Sequence, residues 1–367
     1  MDNYSDSDYM RMALDLAQQA EGRTSPNPLV GAVVVRDGQV VGRGYHTRAG
    51  APHAETAALQ DAGEAARGAT LYVNLEPCCH HGCTGPCTEA LLEAGVSRVV
   101  AAMGDPNPLV CGGGFQCLRA AGVEVTVGVL EAEARELNEV FLKYITTKRP
   151  FVVAKAAMSL DGKIATATGQ SQWITGDAAR AYGHQLRNRY DAILVGRGTV
   201  LADNPSLTTR LADGAGRDAV RVILDSGANI SPEARVLNLD SPAPTIIAAT
   251  TRAESRKLTL LERAGARVLI TNDGPRVELF ALMRKLGEMS ITSVLLEGGA
   301  AVHAAAFEAR LVDKVFWFIA PRIIGGANAP GPVGGEGVSY LAETPRLEQV
   351  RLTRLEQDFC VEGRVNY

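Results

Sequence analysis

The first part of the chain alternates helical and extended patterns of apolar residues. Apolar side chains at helical spacing over residues 8–20 predict an amphipathic helix. Residues 32–35 and 39–41 flank a turn of Asp37 and Gly38, which predicts a hairpin. The next predicted elements are a helix at 53–63, a strand at 70–75, a helix at 87–95, strands at 97–103 and 123–127 with a helix between them, and a helix at 131–143. This alternation favours a sheet with helices on its faces.

The second part of the chain carries continuous apolar runs separated by helical or loop segments. Such runs are typical of strands that are buried on both faces of a sheet. The predicted strands are 151–157, 192–195, 220–224, 245–249, 293–296 and 314–319. They predict a second α/β domain.

A polar stretch separates the two parts. A chain of 367 residues exceeds what one hydrophobic core usually supports, so two domains are expected. Residues 146–149 are polar and precede Pro150, and the residue before a proline is steered away from helical geometry. We therefore predict domains at residues 1–147 and 148–367, with no repeat relating them.

Composition and charge narrow the class of protein. Hydrophobic residues make up 46% of the chain and charged residues 21%, which favours folded cores over disorder. The sequence shows neither an apolar stretch of membrane-spanning length nor the plan of a signal peptide, so we expect a cytoplasmic protein without a membrane partner.

Through Thr147 there are 10 basic and 18 acidic residues, which argues against nucleic acid as a partner. The rest of the chain has 27 basic and 23 acidic residues, and this mildly basic balance is compatible with binding a small phosphorylated ligand. A homo-oligomer stays open.

Four of the seven cysteines, Cys78, Cys79, Cys83 and Cys87, fall within ten residues of one another. In a reducing compartment such a cluster indicates a metal site rather than disulfides. His53 and Glu55 open a predicted helix, so both can reach one small cavity. Cys78 lies just beyond a predicted strand and Cys87 opens the next helix, which places two thiolates at adjoining element ends.

One His and two Cys leave the fourth tetrahedral position of Zn²⁺ open, which is typical of a catalytic rather than a structural site. Zinc lowers the pKa of a coordinated water so that it attacks near neutral pH, and a glutamate outside the ligand set can move its proton to a departing amine. We therefore predict one zinc per chain held by His53, Cys78 and Cys87, with Glu55 as the catalytic proton shuttle. A structural zinc knuckle and simple packing of free cysteines are the alternatives.

The zinc deaminases of nucleobases have two residues between their cysteines, whereas eight separate Cys78 from Cys87. Residues 75–87, together with 26–31, 44–46 and 105–108, closely resemble the deaminases of riboflavin biosynthesis. The resemblance implies a cytidine-deaminase-like fold and a substrate pocket shaped by Asn27, His46, His80 and Asn107. It also shows a departure, since Cys83 stands where most relatives carry a basic residue that meets the substrate phosphate.

Residues 155–162, 171–175 and 195–210 resemble the reductase domain of the same pathway, which has a dihydrofolate-reductase-like fold. The chain is thus similar, over nearly its whole length, to the family of bifunctional riboflavin-pathway deaminase/reductases. The resemblance implies NADPH as cofactor, in preference to NADH. The cofactor contacts that it implies are Ala157, Trp173, Thr199, Asp203, Ser226, Gly299, Ala300 and Ala301. The implied contacts to the phosphorylated substrate are Ser171, Arg187, Leu207, Arg210 and Glu297.

Two features of the second part point to ligand binding on chemical grounds. Gly298 and Gly299 lie between an apolar strand and a predicted helix, where backbone amides can approach a phosphate, although such a turn is also a common structural element. Lys155 falls on a buried strand, and lysine is seldom buried without a partner, so we expect it to bind substrate beside the path of the hydride.

Two other functions stay open from the sequence. One is a nucleoside or RNA deaminase whose second domain is a non-catalytic ligand-binding domain. The other is a regulatory sensor in which the zinc is structural. The acidic first part and the long insert between the cysteines argue against an RNA substrate. The resemblance favours deamination of a phosphorylated pyrimidine followed by reduction of its ribosyl group.

Overall fold

The computed structural model describes residues 4–79, 85–107 and 110–367. The chain divides into two compact units, Met1–Lys148 and Arg149–Tyr367. This division falls one residue beyond the boundary that the polar stretch predicts. Within the described ranges, none of the helices has both the length and the apolar character needed to cross a bilayer.

The first unit is a sheet covered by helices on both faces. Its helices are α1 (Asp6–Gln18), α2 (Ala54–Ala62), α3 (Cys87–Glu93), α4 (Gly113–Ala120), α5 (Glu131–Leu137) and α6 (Glu139–Thr147). Its strands are β1 (Gly31–Arg36), β2 (Gln39–Tyr45), β3 (Thr70–Val73), β4 (Arg98–Ala101) and β5 (Glu124–Val127). They lie in the order β2-β1-β3-β4-β5, antiparallel from β2 to β3 and parallel from β3 to β5. The predicted hairpin and the predicted alternation of helices and strands are confirmed.

Each face of this sheet has its own hydrophobic core. Ala32 and Val34 of β1 pack with residues of α2, α3 and α4, whereas Val33 and Val35 pack with α1 and α5 on the other face. Because side chains alternate across a strand, one buried strand serves both cores. The helix α1 begins at a capping box in which Ser5 and Asp8 satisfy each other's backbone amides.

The prediction of a single helix over residues 131–143 is wrong. The structure has α5 and α6 there, separated at Asn138, whose φ and ψ of −101° and 18° depart from helical values. The Asn138 side chain accepts a hydrogen bond from the backbone N–H of Leu29 and donates one to the Leu29 carbonyl, at 2.8 and 3.0 Å. These tertiary bonds hold Asn138 at the break between the two helices.

The second unit is a larger sheet, parallel through most of its width. Its strands are β6 (Phe151–Ser159), β7 (Ala192–Gly196), β8 (Val220–Leu224), β9 (Thr245–Ala249), β10 (Ala266–Ile270), β11 (Ser293–Gly298), β12 (Lys314–Ala320), β13 (Arg346–Leu355) and β14 (Asp358–Asn366). Its helices are α7 (Asp177–Arg189), α8 (Arg197–Asp203), α9 (Ser255–Arg263), α10 (Leu279–Glu288) and α11 (Ala300–Glu308). The strand order is β10-β9-β8-β7-β11-β6-β12-β14-β13.

The six strands predicted in this unit are confirmed, and they run parallel to one another in the sheet. Only β14 runs antiparallel, to β12 on one side and β13 on the other. The carboxyl ends of β6, β7, β8 and β11 therefore meet at one edge of the sheet. Ligands of open α/β sheets bind at this edge.

Candidate active sites

Three candidate metal ligands meet at the ends of elements in the first unit. His53 is the N-cap of α2, Cys78 follows β3, and Cys87 is the first residue of α3. The Nδ1 atom of His53 lies 3.2 Å from Sγ of Cys87 and 3.6 Å from Sγ of Cys78. The ligand atoms of the three residues all lie within 4.8 Å of one another. The structure thus brings together the three residues that the sequence analysis nominated.

The chemistry of this trio fits zinc. An imidazole and two sulfurs are donors that Zn²⁺ accepts, and three protein ligands leave its fourth tetrahedral position open. A hydrogen bond from Cys87 lowers the pKa of the Cys78 thiol, and a hydrogen bond with Cys78 raises the pKa of His53. A cation that binds here would displace the protons that these groups share, as zinc does when it binds Cys and His ligands.

Close packing of β2 against α2 fixes the position of the first turn of α2. A Cβ atom added at Gly44 would lie 2.6 Å from the carbonyl oxygen of Ala54, closer than real Cβ atoms approach. Only glycine permits this contact between a strand and a helix backbone. The glycine therefore lets β2 hold His53 and Glu55 next to the cysteine-bearing elements.

Glu55 lies in the first turn of α2 with only 4% of its surface exposed. Burial raises the pKa of its carboxyl to about 7, while a bound divalent cation would act in the opposite direction. A carboxyl whose pKa lies near the working pH can both accept and release a proton. The structure thus places a group suited to proton transfer beside the metal-binding trio.

A cavity of about 430 Å³ opens next to the trio. His53, Glu55 and Cys78 line it together with three of the predicted substrate residues, Asn27, His46 and Asn107. The remaining predicted substrate residue, His80, lies outside the described residues, as does Cys83. This cavity is the candidate site for the reacting ring.

Hydrogen bonds fix the tautomer of His46. Its Nδ1 atom lies 3.0 Å from the carbonyl oxygen of Pro52, which can only accept, so Nδ1 carries the proton. Its Nε2 atom then accepts a hydrogen bond from Nδ2 of Asn27 at 3.0 Å. Burial lowers the pKa of His46, which favours this neutral form. The Asn27 carbonyl oxygen is thereby oriented as an acceptor, suited to an amino or ring N–H group.

Glu76 is a residue of this site that the sequence analysis did not single out. Its buried carboxylate accepts backbone hydrogen bonds from Asp105, Gly112 and Phe115 at 3.2, 3.0 and 3.1 Å. The segment that carries Asn107 is therefore tied to the strand end that precedes Cys78. Gly114 packs on the carbonyl oxygen of Pro77 so closely that a side chain could not fit. The sequence signal was an acidic residue placed between an apolar strand and a metal ligand.

We expect a Glu76→Gln variant to raise the KM of the predicted deamination and to lower the free energy of unfolding by about 1 to 3 kcal/mol. An amide has one acceptor oxygen, and its NH₂ group cannot accept from the remaining N–H donors. Zinc content should stay unchanged because Glu76 is not one of the ligands. Steady-state kinetics, thermal denaturation and metal analysis measure the three effects. The control is Glu93→Gln, on the exposed face of α3. Equal KM and equal stability of the two variants would contradict the role of Glu76 in holding the segment that carries Asn107.

The second unit contains a larger cavity, of about 1050 Å³, at the carboxyl ends of its parallel strands. Most of the predicted cofactor and substrate residues line it. These are Ala157, Thr199, Asp203, Ser226, Gly299, Ala300 and Ala301 of the cofactor set, and Lys155, Ser171 and Glu297 of the substrate set. One cavity therefore brings together seven of the eight predicted cofactor residues and three of the six predicted substrate residues of this unit.

Four predicted residues lie outside the lining of this cavity: Trp173, Arg187, Leu207 and Arg210. The Trp173 ring is 59% exposed and has the Arg180 guanidinium 4.8 Å from its centre. Leu207 is buried. The Arg210 guanidinium donates to Oγ1 of Thr208 at 3.1 Å. Direct ligand contacts by these four residues stay predictions.

A buried ion-pair cluster stands at one end of the large cavity. Arg187 donates from Nε and Nη2 to the two carboxylate oxygens of Glu297, at 2.6 and 2.7 Å. Lys155 Nζ lies 4.0 Å from the same carboxylate. Burial would raise the pKa of Glu297, but Arg187 and Lys155 outweigh it and lower that pKa to about 2. Glu297 is therefore ionised at neutral pH, and it is the carboxylate partner that the largely buried Lys155 requires.

Two glycines of the cavity lining form the turn from β11 into α11. Gly298 has φ of +126°, a conformation that other residues rarely adopt, and Gly299 is the N-cap of α11. The first amides of a helix point outward without intrahelical partners, and they carry partial positive charge. The His303 ring on α11 lies between two carbonyl oxygens, with Nδ1 2.9 Å from that of Pro332 and Nε2 3.3 Å from that of Leu296. The residues around this turn fit the phosphates of a dinucleotide.

Two family profiles match the chain, and each matches one of the units. The profile of the cytidine and deoxycytidylate deaminase zinc-binding region matches residues 3–103. The profile of the RibD C-terminal domain matches residues 150–361. The predicted fold classes, deaminase-like followed by dihydrofolate-reductase-like, are confirmed.

Relatives and solved structures match nearly the whole chain. The riboflavin biosynthesis protein RibD of Actinobacillus pleuropneumoniae is 44% identical over 359 residues, 98% of this chain and 95% of that protein. The RibD of Bacillus amyloliquefaciens is 46% identical over 95% of this chain and 94% of its own length. The structure of Acinetobacter baumannii RibD superposes with a TM-score of 0.88 at 37% identity, covering 99% of both chains. The structure of a Thermotoga maritima deaminase/reductase superposes with a TM-score of 0.86 at 40% identity, covering 98% of this chain and 99% of that one. With relatives 44% and 46% identical over nearly its whole length and a family profile on each unit, the chain belongs to the RibD family of bifunctional deaminase/reductases of riboflavin biosynthesis.

Proposed function

We propose that the enzyme acts twice on 2,5-diamino-6-ribosylamino-4(3H)-pyrimidinone 5′-phosphate. Water first replaces one ring amine by oxygen and releases ammonia. The ribosyl group of the product is then reduced to ribityl at the expense of NADPH. The observation that carries this proposal is that each unit has its own cavity, one beside a metal-binding trio and one at a glycine turn.

For the first reaction, His53, Cys78 and Cys87 would hold one zinc per chain. When bound there, zinc supplies the Lewis acidity that makes water nucleophilic near neutral pH. Glu55 takes a proton from the attacking water and delivers it to the departing amine, because its carboxyl is buried beside the trio. Asn27, His46 and Asn107 orient the ring, since all three line the same cavity.

For the second reaction, the glycine turn would hold the pyrophosphate of NADPH, and Thr199, Asp203 and Ser226 the rest of the cofactor. When bound there, NADPH would supply a hydride for the anomeric carbon of the opened imine form of the ribosylamine, whose nitrogen takes up a proton from solvent. Lys155 binds the substrate beside that carbon. Glu297 supports it, since a carboxylate held ionised by Arg187 keeps the positive charge of Lys155 favourable inside the cavity.

We also infer that the enzyme works in the cytoplasm on a small phosphorylated molecule, without nucleic acid or membrane as partner. Cysteines that serve as metal ligands suit a reducing compartment. The acidic balance of the first unit, with 10 basic and 18 acidic residues through Thr147, disfavours a polynucleotide substrate.

The test is to incubate the full chain with this diaminopyrimidinone substrate, with and without NADPH, and to identify the products by mass. We expect exchange of NH for O without NADPH, and addition of two further hydrogens with it. Cytidine and a single-stranded RNA serve as comparison substrates. Deamination of either in preference to the diaminopyrimidinone would overturn the proposal in favour of a nucleoside or RNA deaminase.

A further inference from the structure

The large cavity extends across four neighbouring strands of the second unit. Lys155 on β6 and Glu297 on β11 lie at one end, whereas Ser226 follows β8. The order β6-β11-β7-β8 makes three interstrand spacings, about 14 Å in total. If the reacting end of NADPH meets the substrate at Lys155 and its pyrophosphate lies at the glycine turn, the adenosine half lies toward β8.

A braced turn forms the wall of the cavity at the β8 end. Residues 275–277 line the cavity, and the backbone N–H of Val277 donates to Oγ of Ser226 at 3.0 Å. Asn272 closes the turn, because its Nδ2 donates to the Arg276 carbonyl at 2.9 Å and its Oδ1 accepts from the Glu278 N–H at 3.0 Å. The backbone of Arg276 is therefore fixed beside Ser226.

The lysine and arginine residues that line the cavity are Lys155, Arg197 and Arg276. Lys155 stands at the far end near Glu297, and Nη1 of Arg197 lies 3.9 Å from the buried Oδ1 atom of Asp225. Within the described ranges, the guanidinium of Arg276 makes no hydrogen bond or ion pair, and the residue is exposed. The nearby Glu278 carboxylate is engaged with the first amides of α10, at 2.8 and 2.6 Å.

We propose that Arg276 binds the 2′-phosphate of the adenosine ribose of NADPH and so sets the preference for NADPH over NADH. The inference rests on the proposed function, which places a dinucleotide in this cavity. A guanidinium binds a phosphate through two charge-assisted hydrogen bonds, and it binds the 2′-hydroxyl of NADH much less strongly. Since Arg276 has no competing partner among the described residues, binding would break no existing contact.

The experiment measures the binding of NADP⁺ and NAD⁺ to the full chain by isothermal titration calorimetry, without substrate. Arg276→Ala should weaken NADP⁺ binding about tenfold to a hundredfold and leave NAD⁺ binding unchanged. The NADP⁺ affinity of Arg276→Lys should lie between those of the wild-type chain and Arg276→Ala. Lysine keeps the positive charge but cannot form the paired hydrogen bonds of a guanidinium. The matched control is Arg284→Ala on the exposed face of α10, whose side chain pairs with Glu288 at 3.9 Å.

The outcomes separate the subsite from the function. If the wild-type chain prefers NADP⁺ and Arg276→Ala keeps that preference, the assignment of Arg276 is overturned while the proposed function stands. An equal loss of affinity for NADP⁺ and NAD⁺ would also overturn the assignment, because a residue with a merely structural role would weaken the binding of both nucleotides. If the wild-type chain binds neither nucleotide, or prefers NAD⁺, the proposed cofactor is wrong and the inference is overturned with it.

Discussion

A Glu55→Gln variant is expected to lose deamination by a factor of about 10² to 10⁴, the usual contribution of a positioned acid or base. Glutamine keeps the size of the side chain but can neither take up nor release a proton. Because Glu55 is buried, few waters can replace it. Ammonia release under saturating substrate measures the loss, and the reduction of a pre-deaminated substrate should stay at the wild-type rate.

Metal analysis separates this role from metal binding. Glu55→Gln should retain one zinc per chain, since the proposed ligands are His53, Cys78 and Cys87. The comparison variant His53→Ala removes a ligand, so it should lose zinc affinity together with activity. Wild-type deamination by Glu55→Gln would contradict the assignment, and loss of zinc from that variant would show that Glu55 serves the metal instead.

The elements that could be predicted from the sequence are those whose pattern reflects their own burial. The strands β6 to β9, β11 and β12 lie inside the sheet, and their continuous apolar runs show it. The metal-binding trio was also predictable, because proline and glycine mark the element ends from which Cys78 and Cys87 project. Here the local sequence and the tertiary arrangement agree.

The elements that escaped prediction depend on partners that are distant in sequence or on exposed positions. The strand β13 is exposed along nearly its whole length, so no apolar pattern indicates it. The break at Asn138 depends on hydrogen bonds to Leu29, which lies 109 residues earlier. Arg276 stands beside Ser226 only because Val277 and Ser226 meet across 51 residues of chain. Helical and strand periodicities carry no information about such contacts.

Family membership decides between the alternatives that the sequence left open. Riboflavin biosynthesis proteins match this chain over 94% or 95% of their own length and over both units, which argues against a chain that is only a regulatory sensor and against a second domain that only binds a ligand. The chain is an enzyme with a deaminase unit and a reductase unit. The remaining question about the two activities is whether each depends on the other.

Removal of zinc by a chelator is expected to abolish ammonia release and to leave NADPH-dependent reduction of a pre-deaminated substrate at its original rate. The proposed ligands all lie in the first unit, whose cores are formed by residues between Tyr9 and Ile145. The cores of the second unit are formed by residues from Val152 onward. Even if loss of zinc loosens the first unit, as happens where metal binding contributes to folding, the second unit keeps its own core.

The measurement follows ammonia and NADPH oxidation in parallel, before chelation, after it, and after zinc is added back. Return of ammonia release on adding zinc shows that the loss was due to the metal and not to irreversible damage. Circular dichroism before and after chelation reports whether the chain stays folded. Loss of both activities in a chain that remains folded would contradict independent sites, because the lining of the large cavity includes none of the three proposed zinc ligands and its charged end is formed by Lys155 and Glu297.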